Sequence, residues 1–273
     1  MKKLLIVCGL ALLCMQHVSA QKVDDFGIFQ HFGANVGVGT EGISIGIAAP
    51  VTNYLEISMG LNFMPAIKPS GDVNIKGGSV NVPQMSGPTT PVIDPTTGMP
   101  VYKTYALDKV NIKGNTARTT FDFKVSAYPF GLRNAFFVTA GFSFGGKKIA
   151  KLEGFSPAIA SIYAENPYFT DLIDVEVDKY NIAVDRSGHV NGDVRVNAFR
   201  PYLGLGYGRL VPKGRVGFRV ELGCQFMGKM KIYQNDQELV IDNTINASDD
   251  LSKIIDKWKV YPVLKLMLTT RIL

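Results

Sequence analysis

The chain is poor in the residues that usually staple a fold or perform chemistry. Its 273 residues include three cysteines, three histidines and one tryptophan. Cys8, Cys14 and His17 all lie in the N-terminal stretch. Cleavage of that stretch leaves Cys224 alone, so no intramolecular disulfide can form even in an exported compartment that would permit one. Beyond that stretch there is no apolar run of the roughly 20 residues that a spanning helix needs. Basic clusters are missing as well. The formal charge is +6, part of it from Lys2 and Lys3, and no basic helix or patch argues for nucleic acid as a partner. Stability must therefore come from sheet closure and packing.

Met1-Lys2-Lys3 is followed by an apolar run from Leu4 to Met15 and by Val18-Ser19-Ala20. A basic start, a short apolar region and a small-residue site form a secretory signal, residues 1–20, with cleavage expected before Gln21. Leu13 precedes Cys14 where lipidation would need a small residue. Residues 21–273 contain no linker that separates two domains, and they are expected to form one barrel domain.

Glycine and phenylalanine are abundant, at 28 and 16 residues, and they sit in a repeating pattern. From Arg215 to Met227, every even position from 216 to 226 is apolar and every odd position from 215 to 225 is charged, polar or glycine. A period of two means an extended strand with one apolar and one wet face. Seven further segments share it, near 32–39, 43–49, 54–63, 120–128, 136–145, 202–208 and 264–272. Most have about the 9–11 residues of a tilted strand that crosses a bilayer. Glycine on the polar faces suits a crowded closed lumen better than a solvated sheet.

The connections carry an independent signal. Short turns at 50–53, 129–134 and 211–214 alternate with long stretches at 65–117, 146–198 and 228–259, the brief Thr40-Glu41 apart. An up-and-down barrel with both termini on the inner side requires this alternation. The expected fold is all-β: an eight-stranded antiparallel up-and-down transmembrane β-barrel with long external loops.

The stretch Arg200-Pro201-Tyr202-Leu203-Gly204-Leu205-Gly206-Tyr207-Gly208 resembles strands of OmpA-type eight-stranded outer-membrane barrels. Tyr128-Pro129-Phe130-Gly131, followed by Phe136 to Gly141, is similar to outer-membrane barrels of Bacteroides-type bacteria. The resemblance covers the strands and not the loops, and it implies architecture and a bacterial outer-membrane location. Such chains often end in an aromatic residue, whereas this one ends Arg271-Ile272-Leu273.

With the apolar face in lipid, Glu56, Asp122 and Glu221 share the lumen with Lys124, Arg219 and Lys265, while Arg200, Arg215 and Arg271 lie nearer the ends. Eight strands leave an interior that side chains can fill. The expected lumen is a salt-bridge plug, and a conducting path is the rival. His31 is placed on the inward face of the first strand. Asp185, Ser187 and His189 fall at alternating positions, but Ser187-Gly188 marks a hairpin tip rather than a catalytic group. The acidic run Asp171, Asp174, Glu176 and Asp178 has no glycine turn and reads as solvated strand rather than a calcium loop. No cofactor, metal or catalytic site is expected.

The loops carry further expectations. Val73, Ile75, Val80 and Val82 around Gly77-Gly78 predict a hairpin above the membrane, with Pro83 to Pro100 as its mobile tip. The acidic run with Tyr180 to Val196 predicts another raised hairpin. Ser248 caps a predicted helix whose Leu251, Ile254, Ile255 and Trp258 share a face. The expected partners are outer-membrane lipid and lipopolysaccharide, with an extracellular ligand or protein partner at loops 65–117 and 146–198. The expected role is a non-enzymatic surface or envelope protein. The alternatives are a small porin or transporter for polar or hydrophobic solutes, and a lipid-modifying outer-membrane enzyme.

Overall fold

The computed structural model describes residues 25–74, 79–107, 109–169, 173–177, 180–239 and 259–272. The signal segment, Gly77-Gly78 and the helical pattern ending at Trp258 lie outside the described residues.

In chain order the first strands are β1 (Gly33–Gly39), β2 (Gly42–Thr52), β3 (Leu55–Met64), β4 (Ser70–Asn74), β5 (Ser79–Pro83), β6 (Tyr102–Ala106), β7 (Lys109–Asn115), β8 (Arg118–Ala127) and β9 (Phe136–Gly145). They are followed by β10 (Lys148–Phe155), helix α1 (Pro157–Glu165), β11 (Ile173–Val177), β12 (Tyr180–Val184) and β13 (His189–Arg195). The last are β14 (Phe199–Tyr207), β15 (Val216–Phe226), β16 (Lys231–Gln234), β17 (Gln237–Glu238) and β18 (Val260–Arg271).

Eight of these strands close on themselves in the order β1-β18-β15-β14-β9-β8-β3-β2. All neighbours are antiparallel, and β1 closes the ring against β18 from Gly33↔Arg271 to Gly39↔Lys265. Closure leaves no free edge, so every strand of the ring is hydrogen-bonded on both sides. The alternation sorts the faces. On β15, Val216, Phe218, Leu222 and Phe226 point out and are exposed, while Arg219, Glu221 and Gln225 point in and are buried. An apolar exterior around a charged interior is the inverse of a soluble barrel, and it defines a transmembrane barrel.

The termini and the turns after β2, β8 and β14 share the inner end. The tight turn at Thr40-Glu41 leaves Gly39 opposite Gly42 at the outer end. Gly42 sits at φ +94, and a Cβ there would lie 2.2 Å from the Phe63 carbonyl oxygen.

Above the outer end, the strands continue. A six-stranded sheet runs in the order β17-β16-β13-β10-β7-β4. Its strands β16, β13, β10, β7 and β4 extend β15, β14, β9, β8 and β3 in the same order, so one wall of the barrel rises beyond the ring. The loops thus form a second folded unit with its own core. Val82, Leu107, Val110, Ile159, Ile162, Tyr163, Ile173 and Val184 are buried together, drawn from β5, β7, α1, β11, β12 and the chain next to β6. Ser156 starts α1, its hydroxyl accepting the Ile159 N–H at 3.4 Å, with Pro157 in the first turn where a missing N–H is harmless.

One expectation for the loops needs correction. Val73 and Val80–Val82 do not flank one hairpin, because β4 pairs with β7 and β5 pairs with β6. Each strand finds a longer-range partner, and β5 buries Val82 in the loop core. Pro83 to Pro100 forms a hydrogen-bonded tip. Gln84 donates to Val101, Val92 to Gln84 and Val101 to Val92, all at 2.8 Å, and bridges join Met85 to Pro91 and Ile93 to Pro100. The prolines occupy positions where no donor is needed. The raised hairpin near 173–184 is formed by β11 and β12.

Candidate functional site

The lumen concentrates the polar chemistry of the chain. Four buried carboxylates, Glu41, Glu56, Asp122 and Glu221, meet Lys124, Arg209, Arg219 and Lys265, also buried. All six lumen residues expected from the sequence are in this network, arranged in tiers along the barrel axis.

At the inner end, Glu56 accepts from the Tyr128 hydroxyl at 2.5 Å, from Arg209 Nη1 at 3.3 Å and from the Leu210 N–H at 3.2 Å. Arg209 also donates to the carbonyls of Asn53 at 2.7 Å and Gly131 at 2.9 Å, clamping two turns together. Its guanidinium lies over the rings of Tyr128 and Phe26, 3.9 and 5.4 Å from their centroids. Phe26, Leu210, Val211, Ala48 and Met267 cover this end with a small apolar cluster.

In the middle, Arg219 donates to Glu221 Oε2 at 2.9 Å, to Tyr128 at 2.8 Å and to Ser126 at 3.0 Å. The Phe137 ring centroid lies 3.4 Å from its guanidinium carbon. Glu221 Oε1 accepts from Lys124 at 2.8 Å and from the Tyr202 hydroxyl at 2.7 Å. Gly223 makes room for Tyr202, since a Cβ there would lie 2.3 Å from its hydroxyl oxygen.

Toward the outer end, Lys265 Nζ binds Asp122 Oδ2 and Asn62 Oδ1, both at 2.8 Å, and lies 2.6 Å from Glu41 Oε2. Glu41 also accepts from Gln225, which donates to Ser143 at 2.7 Å. The Thr40-Glu41 turn therefore sends its carboxylate down into the mouth. Arg200, only 1% exposed, adds a fifth buried cation at this rim, and its Nη2 reaches the Gly146 carbonyl at 3.4 Å.

Ion pairs join Glu41, Glu56, Asp122 and Glu221 to Lys124, Arg209, Arg219 and Lys265, charges that would be prohibitive alone, whereas Arg200 Nε has no hydrogen-bond partner among the described residues. The lumen cavity beside these pairs, lined in part by Asn35, Ser44, Ser58 and Lys265, measures about 40 Å³. That is space for a few waters.

Sequence reasoning missed Glu41 and Arg209, because both sit in turns, where charge is ordinarily solvated. A hint was available in the shortness of the Thr40-Glu41 connection, which keeps its carboxylate at the mouth. Tyr128 and Tyr202 were legible only as inward positions. Arg200 lies nearer the outer end, as expected, and is buried there. His31 is not on the inward face of β1. It precedes the strand, and its ring meets Phe26 edge-on at 5.7 Å, because the chain turns beneath the barrel before β1 begins.

The other expectations fall in the external unit. Asp185 Oδ1 accepts from the His189 backbone N–H at 2.7 Å and from the Ser187 hydroxyl at 2.7 Å. The Ser187 hydroxyl is the main cause that holds its carboxyl below the usual aspartate range, with the two backbone donors helping. The carboxylate thus organises a turn, while the His189 ring lies tilted against Phe155 with centroids 5.0 Å apart. Asp174 and Glu176 lie on β11, and Asp171 and Asp178 lie outside the described residues. Among the described residues there is no group of three or more metal-ligating side chains.

A closed ring of eight antiparallel strands, apolar outside and charged inside, makes this chain an up-and-down transmembrane β-barrel. No family model and no curated protein matches the sequence. Among solved structures, CarO2 of Acinetobacter baumannii is similar over 88% of this chain and 98% of its own, at 18% identity and a TM-score of 0.45. CarO of the same organism is similar over 87% and 96%, at 16% identity and 0.43. Shape likeness at such identity leaves role open.

Proposed function

We propose that this chain is a non-enzymatic surface protein of a bacterial outer membrane, exported by cleavage before Gln21, that recognises a partner through its external unit. The observation that carries this reading is the division of labour in the fold. The barrel interior is filled and charge-paired, so it serves as an anchor. The external unit has a core of its own and ends in a well-bonded tip that presents apolar side chains to solvent. Within that tip, Val92, Ile93, Met99 and Val101 are all exposed. Apolar groups held on a hydrogen-bonded scaffold favour recognition, because little ordering entropy is lost on binding.

The tip can be removed cleanly. Pro83 pairs with Tyr102, so residues 84–101 can be replaced by a two-residue Asn-Gly turn without disturbing β5 or β6. The reading expects a cell-surface or extracellular molecule that co-purifies with the intact protein and is lost with the shortened one. Identical co-purification would count against it. Steady conductance by the intact protein would favour the porin alternative instead.

A further inference from the structure

We infer that Arg118 and Arg200, at the outer mouth of the lumen, hold between them the carboxylate of a small solute that arrives from the outer side. The site is separate from the apolar tip and leaves the lumen closed beneath it. Alternation places both side chains inside the ring. Arg118 starts β8 two residues before the inward Thr120, and Arg200 lies two residues before the inward Tyr202 on β14. β9 runs between those strands, with Gly145 opposite Thr120 and Ser143 opposite Arg200. The two guanidiniums reach toward the same stretch of chain beyond it. Arg118 Nη1 donates to the Ile149 carbonyl and Arg200 Nη2 to the Gly146 carbonyl, each at 3.4 Å. Both contacts are longer than the usual ~2.7–3.2 Å, and the two like charges repel each other.

The charges at this end do not balance. The four lumen carboxylates are paired with the lysines and arginines of the tiers below. Arg200 is only 1% exposed, yet neither it nor half-buried Arg118 has a carboxylate within ion-pair distance among the described residues. Glu41 and Asp122 attract Arg200 from farther away, but both are held by Lys265, at 2.6 and 2.8 Å. Arg200 Nε is buried and has no hydrogen-bond partner among the described residues. A buried cation with an unsatisfied donor is costly, and an anion beside it relieves both defects.

The donors select the kind of anion. The Nε–H of a guanidinium points the same way as a neighbouring Nη–H, so the pair matches the two oxygens of a carboxylate. Other donors are spent. Ser143 gives its proton to Asp122, and Gln225 gives its two to Glu41 and Ser143. A phosphate would bring a third oxygen and a second charge to a place with no buried donor left for them. Arg118 supplies the second guanidinium from the open side. It lies 5.3 Å from the ring centroid of Tyr261, which is fixed by its hydroxyl on the Thr40 carbonyl.

The test is saturation-transfer NMR of the detergent-solubilised full chain, titrated with acetate at constant ionic strength. Wild type should transfer saturation to the acetate methyl group. The Arg118→Gln/Arg200→Gln variant should weaken the dissociation constant at least about tenfold, as expected for lost hydrogen bonds to a charged group. Lys151→Gln/Lys231→Gln, which removes two cations of the external unit, should leave it unchanged. No transfer from wild type overturns the inference, as does undiminished affinity in the Arg118→Gln/Arg200→Gln variant. Displacement of acetate by an equal concentration of chloride also overturns it, because the seat would then be a bare positive charge. Tighter competition by phosphate overturns it as well, by excluding a carboxylate as the favoured group. A heat-dependent gel shift reports folding of each variant. Should the double variant lose that shift, Arg118→Gln alone decides by the same criterion.

Discussion

Lys265 and Asp122 stand on strands diametrically opposed in the ring, and their side chains meet across the lumen at 2.8 Å. One ion pair thus spans the barrel interior. Breaking a buried pair from one side strands the other charge. Lys265→Met leaves Glu41 without its cation and Asp122 with only Lys124, at 3.5 Å, and should destabilise the barrel by about 3–5 kcal/mol. Asp122→Asn leaves Lys265 still beside Glu41 and should be milder. Urea unfolding in lipid vesicles, followed by the heat-dependent gel shift, measures both.

The outward face makes the opposite demand. Val220 lies near the middle of β15, and Phe226 closes its outer end. Val220→Arg should cost about 2–4 kcal/mol if it sits at the bilayer midplane, and Phe226→Arg at most about 1 kcal/mol. The same unfolding assay compares them. Equal, negligible effects would mean that this face does not meet lipid.

Packing inside the ring depends on missing side chains. Tyr202 passes over Gly223 to reach Glu221. Gly223→Val should push the phenol aside and break that hydrogen bond. The expected result is a barrel destabilised by about 1–3 kcal/mol, in the range of core overpacking, with a blue-shifted or redistributed tyrosine signal that Tyr202→Phe also removes.

The external unit should respond separately. Ile162 is fully buried in the loop core. Ile162→Ala should weaken that core by about 2–5 kcal/mol. Limited proteolysis should then cut the loops readily, while the heat-dependent shift of the barrel stays as in wild type. Loss of both together would mean that the two cores unfold as one.

The external unit also contains an acid-sensitive contact. Glu165 at the end of α1 accepts from Lys103 at 2.6 Å and from the Tyr105 hydroxyl at 2.8 Å. The Lys103 ammonium, aided by Tyr105, holds its carboxyl below the usual value of 4.5. A depressed folded value means that the contact is complete above about pH 4.5 and is lost as pH falls through the lower value. Hydrogen exchange at residues 157–165 should therefore rise on acidification. Glu165→Gln should flatten that response.

Much of this architecture is legible in the chain because a transmembrane strand declares itself twice, by its two-residue period and by its length. The eight strands and both charge faces follow from positions such as Phe218, Arg219 and Glu221. Turn residues are less readable. Glu41 and Arg209 enter the lumen because closure brings their turns over its mouths, and closure is a property of the ring rather than of any window of sequence. The loops hide more. Val73 and Val80 look like two halves of one hairpin, yet their partners lie on β7 and β6, chosen by a core that includes α1 and β12. Local pattern identifies a strand, but distant packing selects its neighbour.

The central claim is that paired charges seal the lumen. Current recorded across a planar lipid bilayer holding the purified full chain tests it directly. The account predicts no steps above the bare-bilayer baseline at neutral pH. Reproducible ohmic steps from the wild-type protein would contradict it.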